Sequence, residues 1–139
     1  MGSHSRPYND KTGGAIDRKR EQERRFMLQM LTKSASDLST KLVQRLLDRH
    51  IIETTDDGAI RRLVTDQFER LCSMDDFDVQ YKIAPLRHLV PDPNFVSLFM
   101  TQFICEDLVN NDKIQDVFGD DLEIYQAVDS VLQAIRPQA

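Results

Sequence analysis

The chain has 139 residues, of which 40% are hydrophobic and 29% are charged, and it carries a formal net charge of -5 at pH 7. This length and composition give room for one hydrophobic core of ordinary size, which argues against a division into two domains. The longest apolar run falls far short of the roughly 20 residues that span a bilayer, and the first residues lack the apolar core of a secretory signal. We therefore expect a single cytoplasmic domain that does not bind membranes.

Charge is unevenly distributed along the chain. Residues 1–70 carry 14 basic and 11 acidic side chains, whereas residues 71–139 carry 4 basic and 12 acidic ones, which gives the halves charges of +3 and -8. A basic first half favours contact with an acidic partner, although solvated faces that bind nothing produce the same split.

The N-terminal residues show neither helical nor strand spacing. They are polar and include four helix-breaking residues, Gly2, Pro7, Gly13 and Gly14. Such a composition is typical of a flexible tail. We predict a disordered tail over residues 1–16 and one helical domain over residues 17–139.

The first half of this domain contains three segments with helical spacing. Asp17 can cap the first, which is almost wholly charged as far as Arg25 and gains an apolar stripe only after it. Ser36 is the expected cap of the second helix, which ends near His50, and a turn of sequence Thr-Thr-Asp-Asp-Gly at residues 54–58 precedes the third. The predicted stripes are Phe26, Met27, Met30 and Leu31; Leu38, Leu42, Val43, Leu46 and Leu47; and Ile60, Leu63, Val64, Phe68, Leu71 and Cys72.

The second half contains two further helices. Asp92 and Pro93 mark the start of a helix over residues 95–109, which is apolar on nearly all sides, as in a central buried helix. Asp120 and Asp121 are expected to cap the last helix. Its predicted buried stripe is Ile124, Val128, Val131, Leu132 and Ile135.

The segment between residues 75 and 93 is ambiguous. Val79, Tyr81 and Ile83 alternate with polar residues as in a short strand, whereas Pro85 suits the first turn of a helix. We expect a helix-rich connector, because no second strand is available to pair with it. The sequence therefore predicts an all-α protein, a compact bundle of about five helices.

Two stretches of the chain repeat one pattern. Apolar residues between 42 and 52 match those between 99 and 109 at an offset of about 57, and those after Asp56-Asp57 match those after Asp120-Asp121 at an offset of about 64. The match indicates two pseudo-repeated helical hairpins that bury their apolar faces against each other. The simpler interpretation is that any two amphipathic helices align, because both have the same helical period.

Residues typical of catalysis are scarce. The three histidines, His4, His50 and His88, lie in the tail, at a helix end and in the connector, outside any recognisable nucleophile motif. Cys72 and Cys105 sit among apolar residues at helical spacing, which favours reduced core side chains over a disulfide or zinc ligands. We expect no enzyme activity and no cofactor.

The acidic clusters at residues 75–78 and 116–123 do not fit a calcium-binding loop. With Gly119 at the sixth loop position, Ile114 occupies the first, where an acidic ligand is required. The turn around Gly58 does not fit either. With Gly58 at the sixth position, Val64 occupies the twelfth, where a bidentate glutamate is required. Helix caps and solvated charge account for these residues, so no metal site is expected.

The basic run at the start of the first helix is the candidate partner-binding site. It consists of Arg18, Lys19, Arg20, Arg24 and Arg25. Because the run has almost no apolar content, burial cannot hold it on the core, and we expect it to project and to bind an acidic surface, such as the acidic half of another copy. A solvated helix with local ion pairs to Glu21 and Glu23 is the simpler interpretation.

These observations favour a non-catalytic helical protein–protein interaction module, whose partner could be a second copy of the same chain. The alternative is a nucleic-acid-binding regulator that uses the basic first helix, with Arg61-Arg62 as a second patch. The second and third helices follow each other as in a helix-turn-helix motif. Against DNA binding, the acidic turn between them would place negative charge beside the DNA phosphates.

Overall fold

The computed structural model describes the backbone of residues 7–137 and the side chains of residues 18–137. Within this range the protein has five α-helices and two short strands, in the order α1 (Pro7–Asp48), β1 (Ile52–Glu53), α2 (Asp57–Ser73), α3 (Asp76–Ile83), α4 (Phe95–Gln102), β2 (Asp116–Val117) and α5 (Asp121–Leu132). The expected all-α bundle of about five helices is confirmed, and 75% of the residues are helical.

The N-terminal part of the chain enters this description only in part. The backbone is helical from Pro7, so the expected cap Asp17 falls inside α1. Residues 1–6 of the predicted tail lie outside the described residues, as do the side chains of residues 7–17.

The first two predicted helices form one kinked helix, α1. The predicted division is present as a kink, but the cap expected at Ser36 is wrong, because the interruption lies two residues earlier and Ser36 is inside the helix. The bend lies at Ser34, whose φ of -123° and ψ of 15° are not helical. On either side, the hydroxyls of Thr32 and Ser39 donate to carbonyls four residues earlier, a contact that often bends helices.

The predicted connector is helical, as expected. Val79 and Ile83 are buried one turn apart on α3, whereas Tyr81 between them is 78% exposed. A strand would have placed all three on one face, so the burial follows the helical period. Pro85 stands in the first turn of the 3₁₀ helix Ala84–Leu86 that follows.

Two helix starts illustrate how local polar residues fix the boundaries. Asn94, and not Asp92, caps α4, because its side-chain oxygen accepts from the backbone N–H groups of Val96 and Ser97. At α5 the predicted cap Asp120 is confirmed, and Glu123 completes a capping box by accepting from the Asp120 backbone N–H.

A small sheet that the sequence did not predict joins the two halves of the chain. β1 and β2 are antiparallel, with Ile52 opposite Val117 and Glu53 opposite Asp116. Each strand ends three residues before the aspartate that caps the next helix. The repeated pattern is therefore expressed as two helix–strand–helix units, α1–β1–α2 and α4–β2–α5.

The core lies between these two units. α1 packs against both α2 and α5, and α4 packs against α5. Most of the predicted stripe residues are buried, but Phe26 is 41% exposed, so its predicted place in the core is wrong. The core face of α1 at this level is set by Met27 and Leu31, both completely buried, and Phe26 lies one residue off that face.

Candidate functional site

The predicted partner-binding residues divide into two groups. Arg18, Lys19, Arg20 and Arg25 are exposed on the N-terminal part of α1, whereas the Arg24 side chain is only 21% exposed. The five residues therefore do not form one continuous surface, because positions on a helix turn by about 100° per residue.

Arg24 is held by the body of the protein. Its Nε lies 3.1 Å from Oδ1 of Asp76 at the start of α3, close enough for an ion pair although the N–H is not aligned for a hydrogen bond. Its guanidinium carbon lies 5.8 Å from the ring centroid of Phe95, within the range of a cation–π interaction. The expectation that the whole charged run projects is wrong at this residue, because ionic and π contacts replace the missing apolar burial.

The other basic residues have few partners among the described side chains. Arg25 pairs with Glu21 one turn earlier, with 3.3 Å between Nε and Oε2. Both side chains of that pair are more than half exposed, so the pair contributes little to stability. Arg18, Lys19 and Arg20 form no ion pair with any described side chain.

Arg20 and Arg24 lie one turn apart on α1 and line a cleft of about 440 Å³. Its other walls come from the end of α3, the segment after it and the start of α4. These walls contribute Arg87 and His88, and the rim also contains two carboxylates, Glu23 and Asp92. Arg87 is exposed and donates a 2.8 Å hydrogen bond to the Gln80 side chain.

The cleft combines charge with apolar surface. Ile83, Phe95 and Leu98 belong to its lining, together with two prolines of the preceding loop. Sequence reasoning missed the contribution of Arg87 and His88, because the two residues lie more than 60 positions from Arg20 and no local pattern connects them. Their proximity depends on how α3 packs beside α1.

The second basic patch, at the start of α2, is in a different environment. Arg61 pairs with Asp57, with 2.6 Å between Nη1 and Oδ2. The turn that precedes α2 is covered by the segment before β2, since Thr54 donates to the Lys113 carbonyl and the Gln115 N–H donates to the Glu53 carbonyl. The start of the would-be recognition helix therefore lies beside the acidic second unit, which counts against insertion into DNA.

In the described part of the chain, the side chains that could act in catalysis lie apart from one another. His50 and His88 are exposed and lie on different elements. The Ser97 hydroxyl donates to Asp129 at 2.6 Å, but this contact joins α4 to α5 inside the core, where Asn94 is the other polar neighbour of the hydroxyl. Among the described side chains, no three His, Cys, Asp or Glu residues are grouped to hold a metal ion.

Both cysteines are free and half-buried. The Cys105 thiol donates to Oδ1 of Asp121 at 3.3 Å. Burial, followed by this hydrogen bond and the negative charge of Asp121, raises the pKa of Cys105 from 9.0 to about 12. The thiol is therefore protonated at neutral pH, which is the opposite of what a nucleophile or a metal ligand needs.

Comparison with known proteins gives no information about this site. No protein-family model, no curated protein and no solved structure matches the chain. Within the described residues, none of the helices is both long and apolar enough to cross a membrane.

Proposed function

We propose that this protein is a non-catalytic protein-interaction module that binds an acidic protein surface through a basic face on α1. The basic face consists of Arg18, Lys19 and Arg25, which lie within about 120° of one another around the helix axis, whereas Arg20 lies on the side of Arg24. The observation that carries the proposal is that these three side chains are exposed, while Arg24 in the same run is bound within the protein. Charges on such a face steer association more than they stabilise the fold.

Another copy of the chain is one acidic surface that fits this face. The half of the chain from residue 71 onwards carries a charge of -8, and acidic residues occupy the exposed N-terminal turns of α3 and α5. The ion pair between Arg24 and Asp76 is an intramolecular example of the same contact. We therefore propose self-association as the first interaction to test.

The basic face is less suited to nucleic acid. Glu21 pairs with Arg25, and Glu23 stands on the same stretch of helix. A phosphate backbone presents closely spaced negative charges and would meet these carboxylates as well as the arginines. Nucleic-acid binding is accordingly the second candidate and is measured in the same experiment.

The test compares two triple variants that remove equal charge. The first, Arg18→Gln, Lys19→Gln and Arg25→Gln, alters the basic face, and the second, Lys33→Gln, Lys41→Gln and Arg49→Gln, alters exposed cations nearer the end of α1 and just after it. Glutamine retains good helix propensity, so both variants should remain folded. Light scattering at low salt measures self-association, and retention of a random DNA duplex measures binding to nucleic acid.

We expect self-association of the parent to be lost in the first variant and kept in the second. Equal loss in both would show an effect of net charge alone and would contradict the proposal. Micromolar DNA binding by a monomeric parent, abolished in the first variant, would establish the nucleic-acid alternative instead. A parent that remains monomeric and ignores both DNA and acidic polypeptides would overturn both.

A further inference from the structure

We infer that the cleft between α1, α3 and the start of α4 binds a carboxylate side chain of an acidic peptide segment. This inference rests on the proposed function and adds a second contact for an acidic partner, beside the basic face. The two residues assigned to the carboxylate are Arg20 and Arg87, which come from different walls of the same cleft.

Both assigned arginines are available for a new ion pair. Neither forms an ion pair with a described carboxylate, although Glu23 and Asp92 lie on the rim of the same cleft. Arg87 is already oriented by its hydrogen bond to Gln80, so less conformational entropy is lost when it binds. A guanidinium group suits a carboxylate because its N–H donors match the two oxygens in one plane.

Arg24 lines the same cleft but is already engaged by other groups. Its guanidinium is occupied by Asp76 and lies over the ring of Phe95, so it contributes positive potential without needing to move. Beside it, the exposed Pro91 and the half-buried Pro93 offer contacts to an aliphatic side chain. The cleft thus favours a segment in which glutamate or aspartate stands next to an apolar residue.

The same composition disfavours a continuous polyanion. A nucleic-acid strand that followed the cleft would pass Glu23 and Asp92, and repulsion from both would offset the attraction of the arginines. A peptide that presents one or two carboxylates avoids this repulsion. We therefore assign the cleft to an acidic peptide rather than to phosphate.

The experiment uses the full chain, labelled with ¹⁵N, and two synthetic peptides. The probe is acetyl-Gly-Leu-Glu-Glu-Leu-Gly-amide, and its control has glutamine in place of both glutamates. The NMR signals of the arginine Nε–H groups report directly on the residues that bind. The cleft variant, Arg20→Gln with Arg87→Gln, is matched by Arg18→Gln with Arg25→Gln, which removes the same charge outside the cleft.

We expect the glutamate peptide to shift the signals of Arg20 and Arg87 and the glutamine peptide to leave them unchanged. The cleft variant should weaken binding by about tenfold or more, because two charge-assisted hydrogen-bond donors are removed, whereas the matched variant should weaken it by less than about twofold, since exposed charges outside the cleft are screened. Equal binding of the glutamine peptide, or equal weakening by both variants, would overturn the inference.

The result also separates the cleft from the basic face. If only the variant outside the cleft weakens peptide binding, the basic face remains the binding surface and the cleft assignment is wrong. If the cleft variant abolishes peptide binding while self-association is unaffected, the cleft is confirmed as the peptide site and self-association remains assigned to the basic face. A short DNA duplex that shifts the same arginine signals at micromolar concentration would contradict the choice of a peptide ligand.

Discussion

At the residue scale, the end of α1 depends on one unusual backbone conformation. His50 has a φ of 57°, in the left-handed region that non-glycine residues rarely occupy. The N–H of His50 donates to the Leu47 carbonyl and the N–H of Ile51 donates to the Leu46 carbonyl, which together form a Schellman motif. The predicted end of the helix near His50 is confirmed, since α1 ends at Asp48 and His50 is the left-handed residue that terminates it.

Replacement of His50 by glycine should stabilise the protein. Glycine adopts the left-handed conformation without the steric cost of a Cβ atom, and the imidazole is exposed, so its removal uncovers no core surface. After allowance for the greater freedom of the unfolded chain, we expect a gain of about 0.5–1 kcal/mol. The free energy of unfolding in urea measures this change.

Gly119 provides the reciprocal control. Its φ is 88°, and a Cβ atom there would lie 3.4 Å from Oε1 of Glu123, the side chain that completes the capping box of α5. Gly119→Ala should cost about 1–2 kcal/mol because the strained backbone conformation then carries a side chain. If both substitutions change stability in the same direction, the backbone assignment at these two turns is incorrect.

Cys105 leads to a prediction about pH. Because its pKa is raised from 9.0 to about 12, the folded thiol keeps its proton at a pH where the unfolded thiol has lost it. The stability that the protonated thiol contributes is complete below pH 9.0 and declines as the pH rises towards 12.

Alkylation at pH 9 measures the protonation of this thiol. We expect iodoacetamide to modify Cys105 at least about tenfold more slowly in the folded protein than in urea, as followed by peptide mass spectrometry. Asp121→Asn removes the negative charge beside the thiol and should speed the reaction in the folded state. An unchanged rate in this variant would mean that Asp121 does not control the pKa of Cys105.

At the element scale, helical periodicity explains most of the burial. On α2, the buried residues Ile60, Val64, Phe68 and Leu71 follow intervals of three and four. α4 differs, because every residue from Val96 to Gln102 is buried, as a helix enclosed on all sides requires. Its continuation is a π-helical turn over Phe103–Asp107 rather than the regular helix that the sequence predicted.

Truncation of the core aromatics tests these two helices. Phe68 is completely buried and Phe99 is 1% exposed, so Phe68→Ala or Phe99→Ala should each cost about 3–5 kcal/mol through lost apolar contact and an unfilled cavity. Phe77 on α3 is 74% exposed, and Phe77→Ala should change stability by less than about 0.5 kcal/mol. Denaturant unfolding of the three variants checks the prediction, and similar losses in all three would show that the faces are misassigned.

At the scale of the whole molecule, the two helix–strand–helix units depend on each other. The strand pair joins equivalent positions of the two units, and the contact between α1 and α5 closes the core between them. Residues at matching places in the repeat are buried alike, as with Val64 and Val128. Neither unit can cover its apolar face by itself.

Separation of the units should therefore unfold both. We expect fragments 1–74 and 75–139 to show weak, non-cooperative helical circular dichroism alone and to regain the spectrum and cooperative melting of the full chain when mixed at equal concentration. Each fragment is near the size at which a core is marginal even when complete. A cooperative transition in either isolated fragment would contradict the mutual dependence.

The sequence by itself determined those features of the protein that depend on residues close in the chain. The spacing of apolar residues predicted the stripes of α2 and α5, the composition of residues 95–109 predicted a buried central helix, and Asp120 marked the start of α5. These predictions hold because a helical turn and its cap involve only three or four consecutive residues. The same locality made Arg18, Lys19, Arg20, Arg24 and Arg25 visible as one run.

Only the tertiary structure decided which of these residues share a surface. Periodicity specifies that a helix has a face but not what covers it, so it could not show that Arg24 binds Asp76 or that Phe26 is left exposed. The pairing of β1 with β2 and the cleft that Arg20 and Arg87 both line bring together segments more than 60 residues apart. Such contacts depend on how all the helices pack together, so the spacing of residues within one segment cannot predict them.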